Sequence, residues 1–151
     1  MGGINITDDF DEAWKDVEQF VGSIQDKIAD EGAIKRCLKE IGQEIQKNVR
    51  KFAPRRSQKP SYSDAGKNQY AHIMDDITYN VKKSKASKQY YVSVHGRKWT
   101  GYKWLWVNDG HVMKDGTWVN GNHFVDKAEA ASSDAVNTIV DRYIKDALEG
   151  K

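Results

Sequence analysis

The chain has 151 residues, 38% of them hydrophobic and 30% charged, with a formal net charge of +2. This is the size and balance of one globular domain with its own core. No run of about 18 apolar residues offers a membrane span, the acidic residues after Met1-Gly2-Gly3 predict no signal peptide, and the lone Cys37 excludes an internal disulfide and suits a reducing compartment.

The small net charge hides a segregation. Residues 1–31 carry nine acidic and two basic side chains, residues 32–107 seventeen basic and five acidic, and residues 108–151 five basic and eight acidic. Such asymmetry predicts ordered contact between copies or a basic face turned to a polyanion, and does not choose between them.

Residues 8–28 predict an acidic N-terminal helix, capped by Asp8 or Asp9, with Phe10, Trp14, Val17, Val21, Ile24 and Ile28 along one side. A central helix over residues 33–52 has the clearest pattern. Ile34, Cys37, Leu38, Ile41, Ile45, Val49 and Phe52 lie on one stripe, lysines and arginines occupy the rest, and Pro54 forces an end. Residues 54–69 have no apolar periodicity and are rich in Pro, Ser, Gly, Lys and Arg, which predicts a flexible loop. Its Arg55, Arg56, Lys59 and Lys67 are candidate contacts to a partner or to DNA.

From residue 73 the period changes. Ile77, Tyr79 and Val81 alternate with polar residues, Lys82 to Lys88 reads as a basic hairpin tip bearing Lys82, Lys83, Lys85 and Lys88, and Gln89 to His95 returns as a second strand. Trp104, Trp106 and Asn108 alternate with Leu105 and Val107, predicting a third strand that ends at Asp109-Gly110. Trp118-Val119, between the turn dipeptides Asp109-Gly110 and Asn120-Gly121, is a short extended piece and a possible hairpin arm. Residues 124–148 predict the last helix, entered at Phe124. The expectation is therefore a single α+β domain over 1–151, with an antiparallel sheet of three or more strands within 73–119 packed on long amphipathic helices. Ile41, Ile45, Val49, Phe52, Trp104, Trp106 and Phe124 are its predicted core.

Chemistry-bearing patterns are few. His72, His95, His111 and His123 include no pair at the i, i+4 spacing of a helical zinc motif, and no Cys-x-x-Cys accompanies them. There is no Gly-x-Ser-x-Gly or phosphate loop, and Cys37 falls in an apolar stripe. No catalytic, metal or cofactor site is predicted. The basic and aromatic middle third keeps a small nucleic-acid-binding protein open as an alternative.

A helix ending in Phe52-Ala53-Pro54, a polar loop with Gly66, a strand pair, an aromatic run leading to Asp109-Gly110, and Phe124 followed by Lys127-Ala128 stand in a telling order. Together they resemble the head-tail connector, or tail-completion, family of long-tailed bacteriophages. The Trp104 to Val107 run replaces the family's usual Tyr-Ala, the loop after Pro54 is longer, and His123 stands where proline often precedes the aromatic residue. The resemblance implies a non-enzymatic neck protein of the virion, present in the host cytoplasm during assembly and monomeric in isolation. It would form a homo-oligomeric ring against head-side connector and tail proteins, with non-specific contact to passing DNA and none to membrane. A phage-encoded enzyme with an unrecognised site is a third reading.

Overall fold

The computed structural model describes residues 28–54, 73–97 and 101–151. The helix predicted over 8–28, apart from Ile28, and the loop predicted over 54–69, apart from Pro54, lie outside them.

The first described helix, α1, is Glu31–Phe52. It starts two residues before the sequence boundary because the Asp30 carboxylate accepts from the backbone N–H of Gly32 and Ala33, at 3.0 and 3.1 Å. Gly32 thus falls in the first turn, where its freedom costs little. Ile34, Cys37, Leu38, Ile41, Ile45 and Val49 are all buried on α1, and burial pushes the Cys37 thiol up to about 11.

Two layers cover α1. On one side lies the antiparallel pair β1 (Ile77–Lys83) and β2 (Tyr90–Gly96), in which Tyr79 faces Val94 and Val81 faces Val92. The sheet sits close because α1 has a glycine under it: a Cβ at Gly42 would stand 2.7 Å from the Tyr79 ring and 2.9 Å from a Val92 methyl. Gln46 on α1 donates to the Ile77 carbonyl oxygen at 2.8 Å and fixes the sheet lengthwise.

On the other side lies the last helix, α3 (Phe124–Leu148), which buries Phe124, Val125, Ala128, Ser132, Val136 and Val140. It runs antiparallel to α1, since Asn48 donates to Ser132 Oγ at 2.9 Å while Glu40 accepts from Arg142 and, at 2.6 Å, from Tyr143 Oη. Asn48 and Ser132 are both buried, and the Ser132 hydroxyl in turn donates to the Ala128 carbonyl at 2.6 Å. That chain of satisfied donors fixes the register of the two helices as apolar contacts alone would not.

The third strand of the predicted meander is not a strand. Residues Trp104–Asp109 form a short helix, α2, after a 3₁₀ turn at Gly101–Lys103. Gly110–Val112 (β3) and Trp118–Asn120 (β4) then pair with each other and not with β1 or β2. The sheets among the described residues are therefore two antiparallel pairs. The reason lies in burial: Trp104, Val107 and Asn108 stand at the i, i+3, i+4 spacing of a helix face, and these are the covered residues, while Leu105 and Trp106 between them are exposed.

Two outcomes follow from this packing. Ile41→Ala opens a void between the layers and is expected to lower the unfolding free energy by about 2–5 kcal/mol. Gly42→Ala is expected to cost about 1–3 kcal/mol despite the better helix propensity of alanine, because the methyl meets the Tyr79 ring. Denaturant titration of the purified variants measures both.

A pH dependence comes from Glu40, whose carboxyl is held below its ordinary value by the hydrogen bond from Tyr143 and then by Arg142. With the folded value below the unfolded one, its contribution is present above the ordinary carboxyl value of 4.5 and is lost as pH falls through the folded value. Wild type is expected to exceed Glu40→Gln in thermal midpoint at neutral pH, with the gap closing in acid.

Candidate assembly surface

Four of the eight predicted partner residues are among the described ones, and they meet at one place. The turn joining β1 and β2 is closed by Ser84 N–H to the Gln89 carbonyl at 2.7 Å and Lys88 N–H to the Ser84 carbonyl at 3.0 Å. Lys83 is tied inward: its ammonium is 3.0 Å from Glu31, which also accepts from Tyr90 Oη at 2.9 Å. Lys83 and Lys35 both lie over the Tyr90 ring, at 4.9 and 5.1 Å. Lys82, Lys85 and Lys88 are exposed and have no acidic partner among the described residues. The tip at the start of α1 is thus a positive pole. Arg55, Arg56, Lys59 and Lys67 lie outside the described residues.

The predicted core residues divide. Ile41, Ile45, Val49 and Phe124 are buried, and Phe52 is half-buried beneath the Lys51 ammonium, 5.4 Å from its ring. Trp104 packs edge-on against Phe124, with centroids 5.4 Å apart and planes at 76°. Trp106 does not belong to the core: it is 50% exposed and lies tilted beside His111 at 6.2 Å. The helical turn at 104–109 sends it away from Trp104, where a strand would have kept the two on one face.

The residue that organises this end of the molecule is Asn108, buried at the last turn of α2. Its side-chain oxygen accepts from Val125 N–H at 2.9 Å, and its backbone carbonyl accepts from His123 N–H at 3.0 Å. α3 begins after His123 in a left-handed conformation with no side-chain cap of its own, so Asn108 supplies the cap from another element. The chain can return this close only at a glycine, since a Cβ at Gly121 would stand 2.1 Å from the Asn108 carbonyl oxygen. Sequence reading placed Asn108 in a strand and missed this role; its spacing from Trp104 was the available signal.

Around Asn108, Asp109, His123 and Asp126 bring one ligand atom each within 4.8 Å of one another. All three are exposed, and His123 Nδ1 already lies 3.1 Å from Asp126 Oδ2. Three exposed groups fall short of a closed structural metal site, and Asp126 in the first turn of α3 suits the helix dipole. His95 is occupied by Asn80 at 2.9 Å and by the Gly96 carbonyl at 3.0 Å.

Beyond α2, β3 and β4 form a hairpin that carries large apolar side chains into solvent. Val112, Met113, Trp118 and Val119 of the hairpin are all exposed, as are Leu105 and Trp106 on α2. None of the described helices is long and apolar enough to cross a membrane.

Residues 15–110 match the family model HK97-gp10-like, described as "Bacteriophage HK97-gp10, putative tail-component". The span covers more than half of the chain and ends where α2 meets β3. No curated protein and no solved structure matches.

Two substitutions separate the joint from the exposed surface beside it. Asn108→Ala leaves the Val125 N–H buried without an acceptor and is expected to cost about 1–3 kcal/mol. Trp106→Ala, at a half-exposed position, is expected to cost less than about 1 kcal/mol. Urea unfolding followed by circular dichroism distinguishes them.

Proposed function

The chain belongs to the HK97-gp10-like family of bacteriophage tail components, structural proteins of the virion, and we propose that it acts at the neck, joining the DNA-filled head to the tail. It does so as a single-domain subunit of a homo-oligomeric ring that is monomeric before assembly in the host cytoplasm. Its neighbours are a head-side connector and tail proteins. The role is structural and needs no cofactor.

The match over residues 15–110 carries the reading. The charge arrangement supports it, because a strongly basic middle segment between two acidic ones suits ordered contacts in a ring. Lys82, Lys85 and Lys88, with Arg55, Arg56, Lys59 and Lys67, meet acidic neighbours or line the channel through which DNA passes, while Lys83 is held by Glu31 within the chain. A small nucleic-acid-binding protein is the second reading, favoured by the exposed lysines at the β1–β2 tip.

Reversing Arg55, Arg56 and Lys59 to glutamate is expected to abolish joining of heads to tails while the circular dichroism spectrum stays that of wild type. Duplex DNA binding by the purified protein is expected to be weak. A dedicated binder neutralising six or more phosphates would instead bind measurably at low salt and lose on the order of a thousandfold between about 50 and 200 mM. Strong salt-dependent binding together with normal particle assembly by the reversed variant would favour the second reading.

A further inference from the structure

The β3–β4 hairpin is poorly explained by the fold that carries it. Its paired residues put Val112 and Trp118 on one face and His111 and Val119 on the other, and Trp106 lies beside His111. Both faces are therefore apolar. Every residue of β4 is exposed, with Trp118 at 57% and Val112 opposite it at 62%. An isolated two-stranded hairpin is marginal in water. Bulky exposed side chains on both of its faces mark a surface awaiting a partner.

The nature of the partner follows from charge and position. The hairpin offers no cluster of cations for nucleic acid or lipid: Lys114 stands beside Asp115, and the root carries Asp109 and Asp126. Neither root acid has a lysine or arginine partner among the described residues. The opposite combination exists on the same molecule. Lys82, Lys85 and Lys88 crowd the β1–β2 tip with no acidic partner among the described residues, and large exposed apolar side chains are absent from that tip.

The two surfaces lie at opposite ends. Glu31, the first residue of α1, touches the β1–β2 tip through Lys83 and Tyr90. The hairpin is rooted at Asn108 and Val125, at the start of α3, which lies alongside the C-terminal end of α1. A 22-residue helix separates them, on the order of 30 Å.

We propose that the β3–β4 hairpin is an assembly arm that docks on the lysine-bearing β1–β2 tip of a second copy of this chain. Lysine stems cover the apolar faces, and their ammonium groups meet the Trp118 ring and the root carboxylates. The chain already uses this chemistry internally, where Lys35 and Lys83 lie over Tyr90. Because the two complementary surfaces differ and lie at opposite ends, the contact is head-to-tail. Each added copy presents the same free end again, and the series becomes a ring when its rotation closes. The inference rests on the ring reading above and names the contact that makes the ring.

The test uses phage particles assembled with a chain carrying Met113→Cys and Lys85→Cys, treated with a short bismaleimide. Cys37 is buried with its thiol held protonated, and stays silent. A ladder of chain multimers is expected from the double variant and none from either single variant. Trp118→Ala is expected to remove the chain from particles while leaving the thermal midpoint of the purified protein unchanged. If the double variant is incorporated at wild-type amounts without a ladder, or Trp118→Ala is incorporated normally, the docking proposal falls and the ring reading stands. A cross-link to a different virion protein would overturn the second copy as occupant. Absence of the wild-type chain from particles would overturn the ring reading itself, and the proposal with it.

Discussion

The structure depends on burying α1 from two sides at once. A surface helix usually needs one apolar stripe, but α1 is covered by a sheet on one flank and by α3 on the other, and its buried set is correspondingly broad. Gly42 allows the β1–β2 pair to come close on the first flank. Asn48, buried on the second, meets Ser132 and sets how α3 lies. Loss of either flank would expose half of the helix, so neither a two-stranded sheet nor α3 needs to be stable by itself.

The link between Asn108 and α3 transmits that order to the far end of the molecule. A helix start buried against another element must find acceptors for its first N–H groups, and α3 finds one on α2. Edge-on contact between Trp104 and Phe124 adds an apolar clamp beside the polar one. The root of the β3–β4 hairpin is thereby held although its strands are exposed. A rigid root under an exposed arm is an arrangement suited to presenting side chains to a partner, since less freedom remains to be lost on docking.

The sequence was most informative where one period dominated a long segment. The stripe of α1 and the alternation of Ile77, Tyr79 and Val81 could be read directly, because a helix or strand of that length buries a face that no other period would bury. The six residues from Trp104 to Asp109 support both readings. Large and β-branched side chains suggested a strand, yet the covered residues are spaced as a helix, and only the partners Phe124 and Val125 decide between them. The role of Asn108 was illegible for the same reason: a cap supplied by another element leaves no local motif. Asp109 also lies too far in sequence from His123 and Asp126 to be recognised as their neighbour.

Segregated charge takes on a more definite meaning once the elements are placed. The sequence set basic residues in the middle and acidic ones at either side, which is compatible with many surfaces. In the fold, Glu31 neutralises Lys83 within the chain, and Arg142 is absorbed by Glu40. The charges left over are therefore fewer than the composition suggests, and those at the β1–β2 tip are concentrated at one end. A few unneutralised lysines give a contact that is individually weak and sensitive to salt. Such weakness fits the proposed subunit, monomeric until a template gathers its copies. Around the proposed ring each subunit would be held on both sides, and the second contact would form at the high effective concentration that the first creates. Strong pairwise affinity would work against the proposed role, because copies joined head to tail before reaching the neck could grow into open chains.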